Sequence, residues 1–216
     1  RRFEADPAAA VLVLTGAGEA FCAGADLKEM AALGLTVPPR DMTPNLGRNI
    51  QVTKPVIAAV NGPAAGAGLS FAAACDIRIA ADAATFIPAF INIGLIPDSG
   101  GTFFIARLLG PDRAFEWMTS GRRLTAAEAH AWGLVSEVVE TDGLAERAAE
   151  LAATLAAMPT RAIGMTKRLF EAAATNTLDE QLELEAQLQS AATKTEDFRE
   201  GVAAFLEKRD PDFRGR

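Results

Sequence analysis

An α/β fold with a helical C-terminal third is what this chain of 216 residues predicts, and three observations carry that reading. Short apolar runs rich in β-branched residues end at glycine turns, as buried strands do. Small-residue and amphipathic segments separate those runs, which places helices between strands. From Leu144 onward the pattern is helical and amphipathic, broken only near Met158-Pro159.

The elements follow in order. Ala10 to Thr15 reads as a buried strand closed by the turn Gly16-Ala17-Gly18. Phe21 to Asp26 is a small-residue loop, and Leu27-Lys28-Glu29-Met30 starts a helix. The stretch from Gly34 to Gly47 carries three prolines and two glycines and reads as a mobile surface loop. Lys54 to Val60 is the second buried strand, with Asn61-Gly62-Pro63 as its turn. Leu69 to Cys75 fits a tightly packed helix, Ile77 to Ala80 a third strand and Thr85-Phe86-Ile87 a fourth. Pro97 to Thr102 is a turn feeding a helix through Leu109, and Pro111 to Ser120 is a further helix. Thr125-Ala126-Ala127-Glu128 matches a capping box, and Val135 to Val139 is a late short strand. The division expected is an α/β core over 1–143 and a helical region over 144–216.

Composition narrows the function. Half the residues are hydrophobic and 23% charged, as in globular proteins. The formal charge of -7 argues against nucleic acid or an anionic membrane as partner, while a local basic patch could still hold a small anion. No apolar run approaches the ~20 residues of a membrane span. Arg1-Arg2-Phe3-Glu4 is no secretory opening, so the cytoplasm is the expected compartment. The chain does not open on Met, as a trimmed or incomplete protein would not. Cys22 and Cys75 form no metal pattern and read as packed thiols, so no metal is expected. His130, the sole histidine, has no nucleophile pattern near it and reads as structural. Asp76, at a helix-to-strand junction, reads as a cap or pairing residue.

Two glycine-bearing loops follow two strands: Phe21 to Leu27, and Gly62 to Gly68. Both leave backbone N–H groups unobstructed, and the second opens a helix whose dipole adds partial positive charge. Facing each other, they could supply paired donors to a developing oxyanion. Gly66-Ala67-Gly68 alone is better read as close helix packing, and it lacks both the dinucleotide spacing and the P-loop lysine.

Together, in this order, the two loops resemble the crotonase (enoyl-CoA hydratase/isomerase) superfamily. The resemblance extends through Lys54 to Gly62, Cys75 to Ala80, Gly94 to Thr102, Gly121 to Ala126, Gly133 to Val135 and Glu200 to Arg209. It implies a spiral of ββα units, an acyl-CoA substrate and no cofactor beyond the coenzyme A carried by that substrate. It implies an oxyanion hole from the N–H groups of Ala25 and Ala67. It also implies coenzyme A contacts from Ala23, Lys28, Phe205 and Lys208. The last two are three apart, so on one helical face, and in relatives they reach a neighbouring subunit, implying a homotrimer or dimer of trimers. A solvated surface charge is the alternative reading of Lys208. Members usually begin with an additional strand pair and helix before the segment that opens here.

Hydratases of the superfamily use two glutamates, and the matching positions are Ser70 and Phe90, neither of them a carboxylate. Asp98, in Gly94-Leu95-Ile96-Pro97-Asp98, remains. Its local sequence suits a helix N-cap, whereas the resemblance makes it the catalytic carboxylate of an isomerase. Beside Leu95 and Ile96 such a group suits proton transfer near neutral pH. Ser70, Phe71 and Phe90, with Phe103 and Phe104, line an expected acyl pocket or simply belong to the core. Phe86 to Phe90, Thr175 to Asp179 and Phe198 to Val202 resemble a subgroup that isomerises aryl-epoxide thioesters. Double-bond migration in 3-enoyl-CoA compounds is the neighbouring activity. The rivals are a hydratase or dienoyl-type isomerase, or a silent acyl-CoA binder.

Overall fold

The structure, a computed structural model, describes residues 2–32, 34 and 51–216. The proline-bearing stretch expected as a mobile loop lies, apart from Gly34, outside the described residues. The described residues form two compact units, one lying within 13–51 and 56–148, the other within 1–12, 52–55 and 149–216.

The first unit is α/β. Strands β1 (Leu12–Thr15), β2 (Val56–Val60), β4 (Ile77–Ala81) and β7 (Glu137–Val139) form a sheet in the order β1-β2-β4-β7. Strands β2 and β4 run parallel with Ile57 opposite Ile77, and β4 and β7 run parallel with Ile79 opposite Glu137. All five residues of β2 are buried, as in parallel strands covered on both faces, which is why its sequence is unbroken apolar. A second sheet joins β3 (Ala64–Ala65), β5 (Thr85–Ile87) and β6 (Leu124–Thr125), with β3 parallel and β6 antiparallel to β5.

Helices of this unit are α2 (Leu27–Ala32), α3 (Ala67–Ala74), α4 (Gly101–Leu109), α5 (Pro111–Ser120) and α6 (Ala126–Ala131). Helix α3 starts two residues earlier than its sequence suggests, because Gly66 takes the N-cap at φ 54°. Its small residues let it bury Gly68, Leu69, Ser70 and Ala72 to Ala74. At its far end Arg78 donates from Nη1 to the carbonyls of Ala73 and Cys75, and from Nε to that of Leu134 at 2.7 Å. Burial lowers the pKa of this guanidinium, with Cys75 and Asp76 pulling the other way. Asp76 exchanges two bonds with Val56, accepting its N–H at 2.8 Å and donating its own at 2.9 Å. That is the pairing role read from its junction. The capping box is formed: Thr125 Oγ1 accepts from Glu128 N–H and the Glu128 carboxylate accepts from Thr125 N–H.

The second unit is helical, with α1 (Arg2–Ala5), α8 (Thr160–Ala173), α9 (Leu178–Ala192) and α10 (Glu196–Glu207); α7 (Leu144–Ala156) precedes α8. Lys54 Nζ donates to the carbonyls of Phe3 and Asp6, and Glu4 accepts the Thr53 hydroxyl at 2.6 Å. The chain end folds back on α10: buried Asp197 accepts the N–H groups of Arg214 and Gly215 at 2.7 and 2.9 Å. Among the described residues no helix is long and apolar enough to cross a membrane.

Candidate active site

The two glycine loops lie side by side. Cys22 and Ala64 form a parallel bridge, the Ala65 N–H donates to the Cys22 carbonyl at 2.9 Å, and Phe21 and Cys22 both donate to the Pro63 carbonyl. Glycine permits this approach. A Cβ on Gly68 would stand 2.7 Å from that of Cys22, and one on Gly24 would stand 3.1 Å from the Ala65 oxygen. Gly24 also sits at φ 89°, the left-handed region that side chains disfavour.

The pairing brings Ala25 and Ala67 into one neighbourhood. Ala67 is the first residue of α3, where an amide has no intrahelical acceptor. Neither its N–H nor that of Ala25 donates to another described residue. Two open amides, one of them at a helix N-terminus, can stabilise negative charge on a carbonyl oxygen.

Three further expected residues lie on α3 or against its N-terminus. Phe90 is buried, and its ring edge lies 4.0 Å from where a Cβ on Gly66 would stand. Ser70, one turn along α3 from Ala67, is fully buried. Its Oγ lies 2.6 Å from where a Cβ on Gly101 would stand. Phe71 follows on the same helix, half-buried.

Asp98 is not a helix cap. Gly100 occupies the N-cap of α4, and no side chain caps that helix. Asp98 instead begins a turn closed by its carbonyl and the Gly101 N–H at 2.8 Å. Ser99 and Gly100 both have positive φ, 54° and 86°, the arrangement of a primed turn. Asp98 Oδ1 is buried and has no hydrogen-bond partner among the described residues. An acceptor-only group left this way is costly unless something else engages it. A Cβ on Gly100 would stand 2.7 Å from the Phe104 ring, so this turn packs against α4. Phe103, in contrast, is half-exposed and stacks against the Arg107 guanidinium, 3.4 Å from its ring centroid. Leu95 and Ile96 beside the turn are exposed.

Ala23 lies in the first loop and Lys28 in the first turn of α2, both exposed; Asp26 caps α2 by accepting the N–H groups of Lys28 and Glu29. Phe205 and Lys208 belong to the helical unit. Phe205 is 82% exposed. Lys208 does not continue its helical face: it is the C-cap, with φ 56° and ψ 43°, and the bond from Arg209 N–H to the Ala204 carbonyl completes a Schellman-type end. The three-residue spacing therefore overestimates how far the helix runs. His130 lies 3.2 Å through Nδ1 from the Val135 carbonyl, a structural contact. Sequence reasoning missed Gly101, whose bare Cα makes room for the Ser70 hydroxyl; the paired glycines at 100 and 101 were the available signal.

The enoyl-CoA hydratase/isomerase family model matches residues 1–216. The chain is 43% identical over 228 residues to 1,2-epoxyphenylacetyl-CoA isomerase of Escherichia coli K12, covering 100% of this chain and 85% of that protein. It is 40% identical over 212 residues to 2,3-dehydroadipyl-CoA hydratase of the same organism, covering 98% and 83%. Among solved structures, an enoyl-CoA hydratase subunit from Geobacillus kaustophilus HTA426 superposes with a TM-score of 0.91 at 39% identity, covering 100% of this chain and 84% of that one. With two paired glycine loops and relatives matched along its full length, the chain belongs to the enoyl-CoA hydratase/isomerase family and has its crotonase fold.

Proposed function

We propose that this protein is an acyl-CoA isomerase in which Asp98 moves the proton and the N–H groups of Ala25 and Ala67 hold the thioester oxygen. The observation that carries the reading is the buried, unpartnered Asp98 carboxylate oxygen, while Ser70 and Phe90 stand where carboxylates would be needed for hydration. Binding the thioester carbonyl to two amides stabilises the enolate and so acidifies the adjacent C–H. Asp98 takes that proton, the electron pair moves onto the carbonyl oxygen, and the carboxylic acid returns the proton at another carbon. Loss of one such donor typically costs ~2.7–4 kcal/mol of transition-state stabilisation.

The substrate is a coenzyme A thioester and the protein adds no separate cofactor. The isomerase relative supports an aryl-epoxide thioester as the substrate. The product proposed for it is the oxepin, and 3-enoyl-CoA double-bond migration uses the same proton movement. Phe90, with Phe71 on α3, supplies the apolar lining for the acyl group. Ala23 and Lys28 receive the adenine and phosphates, while Phe205 and Lys208 meet coenzyme A bound to another subunit of a trimer or dimer of trimers. The exposure of Phe205 supports that last assignment.

The test compares wild type with Asp98→Asn on 1,2-epoxyphenylacetyl-CoA and a 3-enoyl-CoA, following products by chromatography and mass. Turnover by wild type and loss in a folded variant support the reading; the faster substrate identifies the acyl class. Water addition to a 2-enoyl-CoA instead favours a hydratase, the activity of the second relative. Binding without turnover favours a silent acyl-CoA binder.

A further inference from the structure

We infer that the Ser70 hydroxyl positions the Asp98 carboxylate for proton transfer. The inference rests on the isomerase reading above and adds a residue to it. Ser70 Oγ and Asp98 Oδ1 are both buried, and neither has a hydrogen-bond partner among the described residues. Both belong to one neighbourhood. Ser70 Oγ lies 2.6 Å from where a Cβ on Gly101 would stand, a Pro97 carbon lies 3.5 Å from the same point, and Gly101 is hydrogen-bonded to Asp98. The turn carrying the carboxylate is thus laid against the serine. Their chemistry is complementary, since a serine offers one O–H donor and an ionised carboxylate only accepts.

Ser70 holds its place because α3 is buried along most of its length. That helix begins at Ala67, so one rigid element carries an oxyanion donor and, a turn later, the donor for the proton-moving carboxylate. Catalytic hydrogen bonds are often long before substrate binds and tighten in the reacting complex. On binding, Ser70 donates to one oxygen of Asp98 and leaves the other directed at the substrate C–H. Serine neither takes nor gives up a proton in the reaction. Gly101 is part of the same device, because any side chain there displaces the hydroxyl.

The experiment measures steady-state kinetics on 3-hexenoyl-CoA and 1,2-epoxyphenylacetyl-CoA for wild type, Ser70→Ala, Asp98→Asn and the double variant. α-Proton exchange in deuterated water serves as the sensitive assay for slow variants. Ser70→Ala should lower kcat about tenfold or more, the scale of a charge-assisted hydrogen bond, with KM within about twofold. In the Asp98→Asn background the same change should cost nothing further, because a residue acting through Asp98 has nothing left to act on. Gly101→Ala, which keeps the serine but crowds its oxygen, should reproduce the kcat loss. An unchanged kcat in Ser70→Ala, or a loss that simply adds to that of Asp98→Asn, overturns the inference while leaving the isomerase reading intact. Wild type that turns over neither substrate removes both.

Discussion

A side-chain carbon on Gly24 would stand 3.5 Å from the amide nitrogen of Ala67. The first loop therefore sets the space in front of an amide that belongs to the second. Gly24→Ala should obstruct that space and force a side chain into a left-handed backbone, costing about 1 kcal/mol in strain. The larger effect falls on catalysis: kcat/KM should drop about 10²-fold, as when one oxyanion donor is lost. Kinetics alongside circular dichroism check this, and full activity in the variant would mean that the donor lies elsewhere.

Arg78 tests the support beneath that amide. Its guanidinium satisfies carbonyls at the C-terminal end of α3 and on Leu134. Arg78→Met leaves buried acceptors without donors, and the folded state should lose about 3 kcal/mol. Urea unfolding measures it. A loss below about 1 kcal/mol would mean that water replaces the guanidinium.

In the helical unit, Glu200 is held at a pKa of about 2, below the ordinary 4.5, mainly by the Arg209 hydrogen bond and then by the Asp212 N–H. A carboxylate with a depressed folded pKa contributes stability that is complete above its unfolded value. That contribution should disappear as pH falls from about 4.5 to about 2. Thermal melting across this range should show a steeper decline for wild type than for Glu200→Gln. Identical slopes would locate the acid sensitivity in other groups.

The capping box at Thr125–Glu128 and a second one at Thr177–Glu180, where Thr177 opens α9, are separable from the active site. Thr125→Ala or Thr177→Ala removes the hydroxyl that accepts from the third residue's N–H. Each should lower stability by about 1 kcal/mol. Activity per folded molecule should stay unchanged, as read by denaturant titration and by kinetics on the same samples.

The core strands were legible because buried parallel strands leave a continuous apolar signature, as in Val56 to Val60. The Thr125–Glu128 box was legible because its chemistry is local. The two-residue strands Ala64–Ala65 and Leu124–Thr125 were not, since two residues carry no periodicity and only their partners define them. Asp98 could be singled out, but whether it caps a helix depends on where the helix starts, and Gly100 decides that by its left-handed φ. The end of α10 is hidden in the sequence for a similar reason. Lys208 enters the left-handed region without being glycine, so composition gave no stop signal.

The bridge between Cys22 and Ala64 ties together the loops that carry the two open amides. Their mutual position is thus a property of strand pairing and of bare glycine carbons, independent of which side chains line the acyl group. On the proposed reading, substitutions at positions such as 70, 90 and 98 would alter the reaction while the grip on the carbonyl persists. A single backbone cradle can in this way serve many acyl chemistries, each reached by changing a few side chains around an unchanged thioester.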